Sequence, residues 1–243
     1  MKLNCDLGES YGRWRMGCDE KVMPFLDQAN VACGFHAGDP LAIRSSLRLA
    51  AEHGVEVGAH PSYPDLVGFG RRSMSMARDE LEAALCYQIA ALDGMAAAAG
   101  LELAYVKPHG ALYNDMMANE ALRGWIMQAV STYPRPLKLM LQATPDAERH
   151  LEEAQAQGLE LLFEAFADRC YDDDGRLLSR SRPGAVHDRE RMLAQVAALL
   201  EDGSVTTVAG RCLTLRVDTL CVHGDNEEGV RAIRDIRRLV DGA

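Results

Sequence analysis

Residues 103–110 read LAYVKPHG, and this stretch decides the fold because it shows how a strand of this chain ends. An apolar run suited to a buried strand leads directly into a lysine, a proline and a histidine, and then into a glycine. Pro108 has no amide hydrogen for a sheet ladder, so it marks where strand pairing stops, and Gly110 permits the turn that follows. The strand therefore delivers a cation and an imidazole to its carboxyl end.

The same arrangement, an apolar run that ends in a histidine beside small residues, recurs along the chain. It appears as CGFHAGD at 33–39, as VGAHPS at 57–62 and as CVHGD at 221–225. Longer segments with helical periodicity and recognisable caps lie between the apolar runs. This alternation is typical of repeated βα units.

Seven such units follow one another without a linker rich in Pro, Ser or Gly. This organisation predicts one domain over residues 1–243, folded as a seven-stranded (β/α) barrel, and an open doubly wound sheet is the alternative. The local pattern is the same in both architectures, because only strand order distinguishes them. A hairpin is expected in 204–218, around Gly210 and Arg211, and a long, functional or disordered loop in 170–188.

Composition excludes several classes of function. The chain has 26 Lys and Arg against 36 Asp and Glu, a formal charge of -10, so it lacks the surplus of cations that nucleic-acid binding requires. No apolar run approaches the roughly 18 residues of a membrane span, and no secretory signal is recognisable at residues 1–10. Seven single cysteines, mostly within apolar runs, indicate buried thiols in a reducing compartment, so a cytoplasmic protein is expected.

Polar side chains follow nearly every predicted strand at its carboxyl end, where ligands bind in parallel α/β folds. We therefore expect one cleft that contains Asn4, Asp6, Glu9, His36, Asp39, His60, Lys107, His109, Asp168, Arg169, His223 and Asp225. Simpler explanations exist for some of them. Asp39 and Asp225 fit helix N-caps, and Asp168 and Arg169 fit a mutual ion pair.

Two kinds of chemistry suit carboxylates and imidazoles that converge from separate strands. The first is a divalent metal site, for which Asp6, His36 and His60 supply oxygen and nitrogen ligands. The second is metal-free acid-base catalysis, in which an aspartate activates water, a histidine protonates a leaving nitrogen and Lys107 stabilises an oxyanion. Both chemistries indicate hydrolysis or a related addition at a carbonyl, and the residues leave the choice open.

Six separated motifs carry a specific resemblance. They are LNCDLGES, ANVACGFHAGDP, GAHPSYPDLVGFGRR, YVKPHGALYN, FADRCYDDDGRLLSRSRPGAV and CVHGDN, and they run in order from residue 3 to about residue 226. Together they resemble the LamB/YcsF family. That family is similar in fold to the glycoside hydrolase/deacetylase barrels, whose seven-stranded (β/α) barrel agrees with the seven repeats. Cys5 departs from the alanine expected in the first motif.

The resemblance implies a function and a set of partners. It implies ATP-dependent opening of 5-oxo-L-proline to L-glutamate, carried out with partner subunits B and C of a 5-oxoprolinase, with Mg-ATP used at the level of the complex. The sequence contains no P-loop, so it leaves the ATP site unplaced. Related deacetylase barrels use an Asp-His-His metal triad, for which Asp6, His36 and His60 are the positional candidates.

The resemblance also suggests residue roles. Asp6 or His60 is expected to orient the water, His109 to transfer a proton to the leaving nitrogen, and Lys107 to stabilise the oxyanion. The remaining substrate contacts are expected from Asn4, Glu9, Arg71, Asp168, Arg169, His223 and Asp225. Two other functions stay open, a free-standing metal-dependent deacetylase or amidohydrolase and a non-catalytic carrier or regulatory barrel. Homodimerisation through apolar helix faces also stays open.

Overall fold

The computed structural model describes residues 1–179, 182–223 and 227–242. Its strands, numbered along the chain, are β1 (Lys2–Leu7), β2 (Gln28–Ala32), β3 (Glu56–His60), β4 (Leu103–Val106), β5 (Lys138–Gln142), β6 (Leu161–Phe166), β7 (Ser204–Thr206), β8 (Cys212–Thr214) and β9 (Thr219–Cys221). Seven of these strands, β1 to β6 and β9, form a closed parallel barrel. Strand β1 pairs with both β2 and β9, which closes the ring. The barrel prediction is confirmed, and the open sheet is excluded.

Helices cover the outside of the barrel. In the described residues they are α1 (Asp19–Val22), α2 (Pro40–His53), α3 (Arg78–Ala98), α4 (Gly110–Ala118), α5 (Glu120–Ser131), α6 (Ala147–Gln155), α7 (Arg189–Glu201) and α8 (Glu227–Asp241). The start of α2 shows how local sequence sets a boundary. The Asp39 carboxylate accepts the backbone N–H of Leu41 at 2.8 Å and of Ala42 at 3.0 Å. Asp39 is therefore a helix cap, the simpler of its two expected roles.

Helix α4 begins at Gly110, the last residue of the LAYVKPHG stretch. Asn119 ends α4 and caps α5, where its side chain accepts the N–H of Leu122 at 3.1 Å. The turn into α4 depends on Gly110, whose φ is +57° and whose missing Cβ would lie 2.6 Å from the carbonyl oxygen of Gly70. His109 therefore lies at the N-cap position of a helix, with the loop around Gly70 packed against it.

The predicted hairpin is confirmed by the antiparallel pairing of β7 with β8. It lies outside the barrel, between α7 and β9 in chain order. The long predicted loop packs against the end of the barrel, where the side-chain amide of Gln142, at the end of β5, donates to the carbonyl of Gly175 at 2.7 Å. Gln142 therefore anchors this loop, which explains why an uncharged residue ends β5.

Alternating residues divide each strand between two environments. Along β1, Leu3, Cys5 and Leu7 belong to the hydrophobic core, whereas Asn4 and Asp6 join polar groups of other strands. The barrel interior is unusually polar, since Asn4, Asn30, Glu164 and Thr219 are each at most 1% exposed. Barrel interiors of this class are ordinarily filled by branched apolar residues. The polar interior therefore calls for a functional explanation.

The cysteines are divided between the core and the surface. Cys5, Cys33, Cys170 and Cys221 are buried, as expected, but Cys86 and Cys212 are exposed. The expectation of burial is wrong for these two, because Cys86 lies on an outer face of α3 and Cys212 lies in the hairpin outside the barrel. Among the described helices, none combines the length and the apolar character needed to cross a membrane.

Candidate active site

The carboxyl ends of the barrel strands surround a cavity of about 470 Å³. Eight of the predicted site residues line it, namely Asp6, Glu9, His60, Arg71, Lys107, His109, Arg169 and His223. Asn4 lies buried beneath Asp6, within the barrel. His36 is buried beside Glu9. The predicted residue Asp225 lies outside the described residues.

Lys107 lies at the centre of the barrel end, between two carboxylates. Its Nζ is 2.9 Å from Oδ1 of Asp6 and 2.7 Å from Oε1 of Glu164. Burial by itself would lower the pKa of Lys107, but Asp6, the Cys221 thiol and Glu164 outweigh it and raise this pKa well above its ordinary value. The lysine is therefore a fixed ammonium group at neutral pH.

Asp6 is fixed by neighbours from three other strands. Its Oδ1 accepts the side-chain amide of Asn30 at 2.8 Å as well as the Lys107 ammonium, and its Oδ2 is 3.4 Å from Nε2 of His60. Burial opposes ionisation of this carboxyl, but His60 and Lys107 lower the pKa of Asp6 well below its ordinary value. The site therefore holds a carboxylate and an ammonium side by side, with the carboxylate partly open to the cavity.

A second set of polar residues lies below the cavity, and of these the sequence predicts only Asn4. The Tyr105 hydroxyl donates to Oδ1 of Asn30 at 2.7 Å, and the Asn30 amide donates to Oδ1 of Asn4 at 2.8 Å. The Tyr113 hydroxyl donates to Oε2 of Glu164 at 3.0 Å. Except for Tyr113, which lies on α4, these residues lie within strands rather than at their ends. The signal that could have found them is the two-residue alternation that places Asn4 with Asp6 and Tyr105 with Lys107.

Three histidines and a glutamate form a compact group at one side of the cavity. We call Glu9, His36, His60 and His109 the histidine–glutamate cluster, and one ligand atom from each lies within 4.8 Å of the others. Nδ1 of His109 lies 3.0 Å from Nε2 of His60, and Nε2 of His36 lies 3.0 Å from Oε1 of Glu9. The rings of His36 and His109 are stacked, with centroids 3.7 Å apart.

Burial is the main influence on the charge of these rings. Burial, followed by the nearby His60, lowers the pKa of His36 well below its ordinary value. Burial also lowers the pKa of His109, with His36 and His60 as the next causes. Both imidazoles are therefore neutral at pH 7, so their ring nitrogens can bind a cation.

The loop between β3 and α3 closes over the cluster. Nε2 of His109 donates to the carbonyl of Phe69 at 2.9 Å, and the Arg72 guanidinium pairs with Asp65 to hold the turn. Gly70 has a φ of +63°, and a Cβ there would lie 2.8 Å from Cδ2 of His109. Arg71 projects into the cavity lining, with its guanidinium carbon 5.1 Å from the centre of the Phe69 ring. It is placed to meet an anionic group at the mouth.

The opposite wall contains the three described polar residues that follow β6 and β9. Nδ1 of His223 lies 2.9 Å from Oδ2 of Asp168. Arg169 donates instead to the carbonyl of Leu178 in the long loop, at 2.5 Å. Asp168 and Arg169 are therefore engaged with different partners, and the alternative of a simple mutual pair does not describe this site.

Similarity to known proteins agrees with the fold. The model of the LamB/YcsF family matches residues 1–243. The chain belongs to the LamB/YcsF family. The resemblance carried by the six motifs is thereby confirmed.

Relatives within the LamB/YcsF family match almost the whole chain. A protein of Pseudomonas fluorescens strain Pf0-1, named as the A subunit of 5-oxoprolinase, is 53% identical over 240 residues, which are 98% of this chain and 96% of the relative. A protein of the same name from Chromohalobacter salexigens is 54% identical over 241 residues, with 99% and 96% covered. The crystal structure of the lactam utilization protein of Thermus thermophilus superposes with a TM-score of 0.90 at 39% identity, covering 100% of this chain and 96% of that one.

The LamB/YcsF motifs converge in space although they are far apart in sequence. The first contributes Asp6 and Glu9, the second His36, the third His60 and Arg71, and the fourth Lys107 and His109. Cys5, the departure from the expected motif, packs in the hydrophobic core. It therefore alters the packing behind β1, while the groups that line the cavity are all present.

Proposed function

We propose that this chain is the A subunit of an ATP-hydrolysing 5-oxoprolinase, which opens the lactam ring of 5-oxo-L-proline to give L-glutamate together with partner subunits B and C. The names and full-length similarity of the curated relatives support the reaction. The observation that carries the proposal is the ion pair of Asp6 with Lys107, whose charged atoms are 2.9 Å apart. Both residues line the cavity at the carboxyl end of the barrel, and Asp6 is partly exposed there.

The cavity fits a small cyclic amide that carries a carboxylate. Its volume of about 470 Å³ accommodates a five-membered ring with room for activated species. Arg71 is the cation placed to pair with the substrate carboxylate at the mouth, and a bidentate guanidinium contact would orient the ring. The lactam oxygen would then point toward the ammonium of Lys107.

The lactam is a poor electrophile, so coupling to ATP serves to activate its carbonyl. We propose that phosphorylation of the amide oxygen precedes attack by water at that carbon, with Mg-ATP supplied at the level of the complex. In this scheme the amide oxygen attacks the terminal phosphorus of ATP and ADP leaves, while Lys107 stabilises the negative charge around the phosphorylated oxygen. The Asp6 carboxylate accepts a proton of the water that adds to the activated carbon and passes it to the nitrogen as the carbon–nitrogen bond breaks. This step leaves an acyl phosphate, which a second water hydrolyses to glutamate and phosphate. Asp6 and Lys107 are thus the groups that touch the reacting atoms.

His60 and His109 support these two residues. The carbonyl of Lys107 accepts Nδ1–H of His60 at 2.7 Å, and His60 in turn faces Asp6. Both ring nitrogens of His109 are engaged, by Phe69 and by His60. Direct proton transfer by His109, as expected from the sequence, requires one of these contacts to open. The geometry therefore favours Asp6 over His109 as the group that transfers the proton.

The remaining predicted contacts belong to the rim and to the barrel interior. Glu9, Arg169 and His223 line the cavity and would border the substrate, while Asp168 orients His223. Asn4 acts from below by holding Asn30. Asp225, which the sequence also places at the mouth, stays a prediction.

The test is reconstitution of the assembled enzyme. The chain is mixed with partner subunits B and C, 5-oxoproline, ATP and Mg²⁺, and glutamate and ADP are followed together. We expect glutamate only when all three subunits and ATP are present. Release of acetate from N-acetyl substrates by the isolated chain, without ATP, would instead establish the deacetylase. If neither reaction occurs, but the partner subunits bind only when this chain is present, the chain would be a carrier or regulator.

A further inference from the structure

The histidine–glutamate cluster is built from four consecutive strand ends. Glu9 follows β1, His36 follows β2, His60 ends β3 and His109 follows β4. The three imidazoles are buried and the glutamate is partly exposed. Four adjacent loops therefore contribute one potential ligand each to a common point beside the cavity.

The hydrogen bonds of two of these rings assign their tautomers. A backbone carbonyl only accepts, so His60 must carry its proton on Nδ1, which lies 2.7 Å from the carbonyl of Lys107. For the same reason His109 carries its proton on Nε2, which lies 2.9 Å from the carbonyl of Phe69. The other nitrogens, Nε2 of His60 and Nδ1 of His109, face each other across 3.0 Å. Two bare lone pairs at this distance would repel, so the contact requires a cation, either a shared proton or a metal ion.

Glu9 adds a negative charge at the same point. Its Oε1 lies 3.0 Å from Nε2 of His36 and 3.5 Å from Nδ1 of His109. The separations of 3.0, 3.0 and 3.5 Å within the cluster lie around the roughly 3.3 Å between ligands in a tetrahedral site with metal–nitrogen bonds of about 2.0–2.1 Å. The other separations between the four ligand atoms are at most 4.8 Å. The widest of them would have to contract, through a turn of the stacked His36 and His109 rings, for all four atoms to bind one ion.

The surroundings of the cluster are also those of a metal site. Ligand histidines ordinarily donate their second nitrogen to a carbonyl or a carboxylate, and His60 and His109 both donate to backbone carbonyls. Asp6, the carboxylate expected from the sequence, binds Lys107 and Asn30 through Oδ1, and its Oδ2 lies 3.4 Å from Nε2 of His60. Glu9 faces two of the rings, those of His36 and His109, so it fits the carboxylate ligand better than Asp6 does, and His109 joins His36 and His60.

We infer that Glu9, His36, His60 and His109 bind one divalent transition-metal ion. A set of three imidazoles and one carboxylate suits Zn²⁺, Fe²⁺, Ni²⁺ or Mn²⁺, whereas Mg²⁺ and Ca²⁺ require mainly oxygen ligands. In this role His109 is a ligand rather than a proton donor. The inference concerns the isolated chain and does not depend on the proposed lactam reaction.

The experiment measures metal binding by the full chain alone. The protein is purified without an affinity tag, stripped with a chelator, dialysed, and titrated with Zn²⁺ by calorimetry and against a chromophoric chelator. We expect one Zn²⁺ per chain and a rise in Tm on binding. Co²⁺ should give the absorption bands of a nitrogen-coordinated ion. His36→Ala, His109→Ala and Glu9→Gln should each lower the affinity at least about tenfold.

Two variants make the test specific. His53→Ala removes an exposed imidazole of α2 and should leave the affinity unchanged. Asp6→Asn should lower it much less than Glu9→Gln does, because Asp6, although its Oδ2 is 3.4 Å from Nε2 of His60, is not a ligand in this assignment. Where a ligand variant folds poorly, loss of the Zn²⁺-induced rise in Tm provides the readout.

Three results would overturn the inference. One is a stoichiometry below about 0.1 ion per wild-type chain, which would leave a shared proton as the cation of the cluster. Another is equal affinity in the wild type, His36→Ala and His109→Ala. The third is loss of the ion in Asp6→Asn with retention in Glu9→Gln, which would assign the site to Asp6, His36 and His60. Glutamate formation by the assembled enzyme is a separate measurement, so failure of one proposal is distinguishable from failure of the other.

Discussion

Lys107 holds two carboxylates in the middle of the barrel. It is 3% exposed, and without it Asp6 and Glu164 would face each other with no positive charge between them. Removal of one partner of a buried ion pair is costly because the remaining charge loses both its partner and its access to water. The residue therefore contributes to folding and to the proposed reaction through the same contacts.

Replacement of Lys107 by methionine should affect both stability and turnover. We expect a loss of about 3–5 kcal/mol in the free energy of unfolding, measured with urea, from the unpaired carboxylates. In the assembled enzyme at a temperature where the variant is folded, glutamate formation should fall about 100- to 1,000-fold, as for loss of an oxyanion contact. Lys138→Met is the matched control, since Lys138 is 45% exposed and pairs with Glu160 at the surface. A change above about 1 kcal/mol in this control would contradict the argument from burial.

The buried histidines predict how stability depends on pH. Because burial lowers the pKa of His36 and of His109 in the folded chain, the unfolded chain, with histidine pKa values of about 6.5, binds more protons below that pH. The stabilisation by neutral His36 and His109 is therefore fully present above about pH 6.5 and is lost as the pH falls toward their folded values. The free energy of unfolding therefore changes with pH by at most about 1.4 kcal/mol per pH unit for each histidine.

Urea unfolding in the presence of a chelator, at a series of pH values between about 5 and about 7.5, measures this slope. His36→Gln should reduce it, and His53→Gln, which replaces an exposed histidine, should leave it unchanged. An equal slope in His36→Gln and the wild type would show that the pKa of His36 is the same in the folded and the unfolded chain.

At the scale of elements, the junction of β4 with α4 places the site. The chain leaves the barrel at Lys107, passes through Pro108 and His109, and enters the helix at Gly110. The carbonyl of Gly70 accepts the N–H of Ala111 at 2.8 Å, so the loop after β3 is tied to the first turn of α4. The close approach of these two segments depends on the absence of a side chain at Gly110.

Gly110→Ala should disturb this junction. Its φ of +57° and the 2.6 Å separation from the carbonyl of Gly70 predict both backbone strain and a steric clash. We expect a loss of about 2–4 kcal/mol in the free energy of unfolding, measured with urea. Gly124→Ala, within α5 where an added Cβ has no neighbour within 4 Å, is the control. The Gly124→Ala change should be neutral or stabilising by up to about 1 kcal/mol, because alanine favours the helix. If Gly124→Ala destabilised the chain as much as Gly110→Ala, the argument from the junction would be contradicted.

At the scale of the whole molecule, the barrel interior is a hydrogen-bonded network rather than an apolar core. Asn30, on β2, connects Asn4 and Asp6 of β1 with Tyr105 of β4. Gly58 on β3 leaves room for the Tyr105 ring, since a Cβ there would lie 2.1 Å from a ring carbon. The network thus fixes the relative positions of three strands and of the carboxylate in the cavity floor.

Asn30→Ala tests whether this network stabilises the barrel. The change leaves buried polar groups on Asn4 and Tyr105 without their Asn30 partner and removes one donor from Asp6, so we expect a loss of about 2–4 kcal/mol in the free energy of unfolding. Thermal and urea unfolding measure it. Asn114→Ala, at an exposed position of α4, should stay within about 0.5 kcal/mol of the wild type. A loss at Asn30 no greater than at Asn114 would mean that water replaces the lost contacts.

The sequence by itself determined the repeating βα units, the helix cap at Asp39 and the hairpin around Gly210, because these depend on local periodicity, capping and turn residues. It also determined the convergence of Asp6, His60, Lys107 and His109, because each of them lies at the end of a strand. Tertiary structure alone decided that β1 pairs with β9, since strand pairing joins residues far apart in the chain. It also decided that Glu164 and Asn30 hold the charged centre and that Glu9 and His109 lie together with His36 and His60. These choices depend on contacts between residues from separate strands, which no local pattern records.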